Sequence, residues 1–66
     1  MNWDEITGKW NQLKGSARAE WAKFTDQELD AVQGQHEKLV GLLQEKYGRT
    51  KEEAEQEIDR WVQKVS

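Results

Sequence analysis

The sequence predicts an all-α fold of four short helices, and three observations point to it. Proline is absent, the apolar residues recur at helical spacing, and two Thr-x-x-Glu signatures mark helix starts. The first helix carries Trp3, Ile6, Trp10, Leu13, Ala17, Trp21 and Phe24. At about 100° per residue these positions fall within an arc of roughly 80°, one apolar stripe. Its start stays open between Asn2 with Glu5 and a later cap at Thr7. Thr25 with Glu28 opens a second, short helix that carries Leu29 and Val32 and stops near Gly34. A third carries Leu39, Leu42, Leu43 and Tyr47 and ends at Gly48, a natural C′ glycine. Thr50 with Glu53 opens the last, whose inner face is Ala54, Ile58, Trp61, Val62 and Val65.

These parts repeat. Gly8, Leu13, Gly15 and Trp21 recur at an offset of 26 as Gly34, Leu39, Gly41 and Tyr47. Ala22, Lys23, Thr25 and Glu28 then answer to Gly48, Arg49, Thr50 and Glu53. We read a pseudo-duplicated unit, a longer helix, a capped turn and a second helix. Neither helical hairpin covers its own apolar face, so the two are expected to pack crosswise as one domain over residues 1–66. The expected core is Trp10, Leu13, Trp21, Phe24, Leu39, Leu43, Tyr47, Ile58 and Trp61, with Trp3 the most exposed of the four tryptophans.

Composition limits what such a chain does. A domain this small buries only about 60% of the surface its unfolded chain exposes. With no cysteine and one histidine, neither disulfides nor a metal staple are at hand, and packing and caps must hold it. Charged residues make up 35% and mean hydropathy is −1.11, close to the disordered regime; the tryptophans pull the other way. The net charge of −3 hides an asymmetry: residues 1–24 carry four basic and three acidic groups, residues 25–66 six and ten. No basic stripe emerges to attract nucleic acid or an anionic membrane. No apolar run is long enough to span a bilayer or form a signal segment.

The segment Gly8-Lys9-Trp10-Asn11-Gln12-Leu13-Lys14-Gly15 resembles the CsbD-like family of small bacterial stress proteins. So do Trp21-Ala22-Lys23-Phe24-Thr25-Asp26, Gly34, Leu39-Val40-Gly41 and Tyr47-Gly48, so that the resemblance covers nearly the whole chain. The acidic last helix with Trp61 is most like the gamma-proteobacterial members. Ala22 departs from the usual glycine, and alanine favours helix continuity there. The resemblance implies two crossed hairpins of the SAM-like or helix-hairpin-helix class, expression under general stress, a cytoplasmic location and no assigned biochemical activity. It supplies no catalytic or ligand residues.

The residues suggest no catalytic, cofactor or metal site. His36 beside Glu37 lacks a convergent ligand set and reads as solvated surface. Glu53 with Glu57, and Glu55 with Asp59, lie one turn apart, but acid–base work needs a cleft that shifts one pKa; Glu57 is expected to pair with Arg60. Leu39-Val40-Gly41-Leu42-Leu43 is the nearest match to a DNA-binding hairpin turn, but it lacks the second glycine and has acidic flanks. The tryptophans share the apolar stripe, so core packing is the simpler account than base stacking. One feature needs a reason. Gly8, Gly15, Ala19 and Ala22 share the face opposite the stripe, although interior glycine costs about 1 kcal/mol relative to alanine. We expect a contact face there, against a helix of the same domain or a partner. The expected function is a stress-associated, non-enzymatic interaction module with an unidentified protein partner, monomeric or weakly self-associating. The alternatives are a hydrophilin-like protectant without specific recognition and, further off, a nucleic-acid binder.

Overall fold

The computed structural model describes residues 2–65, and these form five helices: α1 (Trp3–Gly8), α2 (Trp10–Glu20), α3 (Asp26–Val32), α4 (His36–Tyr47) and α5 (Lys51–Val65). The all-α class stands, with one helix more than the sequence predicts. The extra one arises because the first expected helix breaks at Lys9, where the backbone turns to φ −105°, ψ 17°. Two features meet there. Gly8 weakens the helix just before the break. The break also turns α1 onto the turn after α3, where the Thr7 hydroxyl donates to the Gly34 carbonyl at 2.8 Å. The start of α1 is settled by Asn2, whose Oδ1 accepts from the Glu5 N–H at 3.0 Å.

Nor does α2 run through to Phe24. It stops at Glu20, and Ala22 lies in a turn closed by the Phe24 N–H donating to the Trp21 carbonyl at 3.1 Å. The three-residue spacing of Trp21 and Phe24 serves such a turn as well as a helix, and both side chains are buried.

The two Thr-x-x-Glu signatures are complete capping boxes. The Glu28 N–H donates to Thr25 Oγ1 at 3.1 Å and the Thr25 N–H to Glu28 Oε1 at 2.9 Å. Glu53 and Thr50 repeat the geometry at 3.1 and 2.9 Å. Gly48 closes α4 at φ 63°, as its place predicts. The end of α3 takes two left-handed residues in succession, Gln33 at φ 54° and Gly34 at φ 72°.

α2 packs against α3 and α4 against α5, while α2 also lies on α5 and α3 on α4. Of the nine expected core residues, Trp10, Trp21, Phe24, Leu39, Leu43, Ile58 and Trp61 are buried. Leu13 and Tyr47 pack against the core while keeping part of their surface in solvent. Ile6 and Val40 join it, and Trp3 is the one half-exposed tryptophan. The halves meet at Trp61, whose ring centroid lies 6.2 Å from Trp10 and 5.6 Å from Trp21, in edge and tilted contacts. The Trp10 indole donates to the Leu29 carbonyl at 2.8 Å. The Trp61 Nε1, equally enclosed, has no partner among the described residues.

Candidate interaction surface

Ten of the 23 charged side chains are joined in pairs that link one segment to another. Lys14 pairs with Asp30, and Arg18 with Asp26 at 2.9 Å, joining α2 to α3. Lys46 reaches Glu28 at 2.8 Å across α4 and α3, and Lys64 reaches Glu20 at 2.9 Å across α5 and α2. Exposed pairs of this kind stabilise by only about 0–1 kcal/mol each. The Glu28 carboxyl sits below its ordinary value of 4.5, first because Lys46 bonds to it and then through the Thr25 N–H. Lys46 is raised correspondingly above 10.5.

Glu53 and Glu57 on α5 have structural partners. Glu53 belongs to the capping box, whose Thr50 N–H and hydroxyl hold its carboxyl below 4.5. Glu57 accepts from Arg49 at 2.6 Å and from the Trp21 indole at 3.4 Å, so its partner is Arg49 of the preceding loop rather than Arg60. His36 opens α4 half-exposed and meets the Trp3 ring edge-on at 5.0 Å. No cluster of three metal-ligating side chains occurs among the described residues.

Tyr47 gathers both capped turns. Its hydroxyl accepts from the Lys23 N–H at 3.1 Å, and its ring is flanked by Lys23 Nζ at 5.1 Å and Arg49 Cζ at 5.8 Å. Lys23 and Arg49 are equivalent in the repeat, and that equivalence was the only signal in the sequence for this clamp.

The small-residue strip does not survive as one helical face. Gly8 ends α1, Gly15 and Ala19 sit on α2, and Ala22 is in the turn; all four are exposed. A Cβ at Gly8 or Gly15 would meet nothing within 4 Å, so no helix of the same domain approaches there. The break at Lys9 and the early end of α2 are what disperse the strip.

Sequence reasoning missed two grooves beside Gly41. One, about 470 Å³, runs between α3 and α4 over Ala31, Val32 and Leu42, rimmed by Glu28, Lys38 and Glu45. The other, about 380 Å³, runs between α4 and α5 past His36, Glu37, Val40, Gln44, Lys51 and Glu55. Gly41 lines both. Such grooves exist only between packed elements and leave no periodic trace in one helix. No helix among the described residues is long and apolar enough to cross a membrane.

Comparison with known proteins gives a consistent picture. A family model described as CsbD-like matches residues 4–56. A UPF0337 protein of Bordetella pertussis is 52% identical over 58 residues, which cover 88% of each chain. The UPF0337 protein YjbJ of Escherichia coli K12 is 43% identical over 61 residues, covering 92% of this chain and 88% of its own. Identity to the Bordetella protein thus exceeds that to the gamma-proteobacterial one, against the expectation drawn from the acidic last helix. No solved structure matches the chain significantly. The helical fold, the family model and the full-length relatives agree, and the chain belongs to the CsbD-like family, which is associated with general stress and not with an assigned reaction.

Proposed function

We propose that the chain is a folded, non-enzymatic interaction module that acts in the cytoplasm during stress, through a protein partner. The observation that carries this reading is the fixed surface. Ion pairs between helices, two capping boxes and the Tyr47 clamp set charged side chains in defined places over an aromatic junction. A protectant that shields other molecules by hydration needs no such order. Nucleic-acid binding is disfavoured because the net charge is −3 and five of the ten basic residues, Lys14, Arg18, Lys46, Arg49 and Lys64, already hold a carboxylate.

The rival protectant reading draws on the 35% charged residues and the mean hydropathy of −1.11. Stress survival of cells lacking the chain, complemented by variants, separates the two. A variant whose exposed charges are permuted broadly, with helicity and melting unchanged, should lose complementation if a defined surface acts. Survival equal to that of the natural chain would refute the module reading in favour of the protectant.

A further inference from the structure

We infer that the seat of α1 is an exchange site between two copies of this chain: α1 swings out about Lys9 and docks in the same place on a second copy, whose own α1 returns the contact. The inference goes beyond the module reading and does not depend on it. Its first support is the hinge. Lys9 alone separates α1 from α2, at φ −105° and ψ 17°, and its side chain makes no capping bond to α2. Across it the apolar positions keep one phase. Trp3, Ile6, Trp10, Leu13 and Ala17 follow alternating steps of three and four, the spacing of a single unbroken stripe. Turning Lys9 to helical torsions therefore joins residues 3–20 into one helix with its apolar side chains still in line. A straightened chain on its own carries Trp3 and the fully buried Ile6 into water, so the extended form needs a partner that covers them.

The partner follows from what α1 touches. α1 is held by the burial of Ile6, by the Thr7 hydroxyl donating to the Gly34 carbonyl at 2.8 Å, and by the Trp3 ring meeting His36 edge-on at 5.0 Å. No salt bridge among the described residues ties α1 to another element, whereas each of the other four helices has at least one. The seat that α1 leaves, at Gly34 and His36, is already shaped for one occupant, another α1. Each contact of the closed chain is remade between chains, so the exchanged pair gives up no complementarity. Gly8 fits the same picture. It is exposed beside the hinge, and a Cβ there would meet nothing within 4 Å. In a two-fold exchange the two hinge segments run past each other, and a bare backbone lets them come close.

The test refolds an equal mixture of isotope-labelled and unlabelled full-length chain at millimolar concentration, separates monomer from dimer by size exclusion, and records isotope-filtered NOEs on the dimer. His36 is the one histidine of the chain, so its ring protons are unique. The expected result is a dimer in which the Trp3 ring of one chain lies against the His36 ring of the other. Lys9→Gly penalises the straightened helix at both hinges of a dimer and leaves the closed turn accessible. It should lower the dimer association constant at least about fivefold while the helicity of the monomer is retained. Monomer alone up to millimolar concentration overturns the inference. So does a dimer whose Trp3–His36 contact stays within each chain, which marks two closed copies meeting on another face. A dimer constant that Lys9→Gly leaves unchanged overturns it as well. None of these outcomes bears on stress survival, by which the module reading stands or falls.

Discussion

Replacing Gly34 by alanine should come close to unfolding the domain. Gly34 sits at φ 72°, where a non-glycine residue costs about 1–2 kcal/mol. The added Cβ would lie 2.8 Å from Thr7 Cα and 3.3 Å from both the Thr7 carbonyl oxygen and Trp10 Cβ. Thr7 Cα is backbone, so the clash is relieved only if α1 lifts. Lifting forfeits the Thr7–Gly34 hydrogen bond, worth about 1 kcal/mol, and part of the roughly 1.5–3 kcal/mol that burial of Ile6 contributes. The sum is about 3–5 kcal/mol. A chain of this length at about 0.05–0.15 kcal/mol per residue holds only about 3–10 in total. Gly41→Ala is the control within the same molecule. Its backbone is helical and its surroundings open, so it should gain about 0.5–1 kcal/mol. Urea melts followed by circular dichroism and tryptophan emission measure both. A Gly34→Ala stability within about 1 kcal/mol of the natural chain, or shifts of the same sign for the two variants, would refute the reasoning.

Trp10→Phe should cost at least about 1 kcal/mol more than Trp61→Phe in the same melts, because the first strands the Leu29 carbonyl and the second removes an indole N–H that has no partner among the described residues. Thr25→Ala and Thr50→Ala should each cost about 1 kcal/mol, and nearly additively, since the two capping boxes share no groups. Glu28 and Glu53 are depressed below 4.5 in the folded chain, so their stabilisation is present above that pH and is lost as pH falls through their lower folded values. Acid titrations of the melting midpoint should therefore fall below about pH 4.5 and flatten in the Glu28→Gln, Glu53→Gln double variant; an unchanged slope would contradict the bonds that depress them.

What was legible in the sequence is what local chemistry fixes. The starts of α3 and α5 rest on Thr25 with Glu28 and Thr50 with Glu53, pairs three residues apart that need no tertiary partner. Gly48 ends α4 for a reason that one residue carries. The break at Lys9 was not legible, because the contact that accompanies it joins Thr7 to Gly34 across 27 positions. The tryptophan stripe keeps its angular continuity whether or not the helix bends there. Trp21 and Phe24 were placed correctly in the core and wrongly in a helix, since spacing reports the face and not the backbone. The grooves beside Gly41 and the Tyr47 clamp depend on which elements become neighbours.

The glycines divide along the same line, and the division bears on function. Gly34 and Gly48 hold positive φ, and the fold requires them. Gly15 and Gly41, equivalent at the offset of 26, are helical, exposed and uncrowded. Folding alone would favour alanine at both, so the stability forgone there is not compensated by any contact within the domain. Gly41 differs from Gly15 in its setting, since two grooves open beside it. If both alanine variants melt later than the natural chain and bulk at Gly41 alone impairs stress survival, the two copies of the unit have kept one scaffold and diverged in surface. Equal impairment from bulk at Gly15 would instead assign the contact to a feature that both halves share.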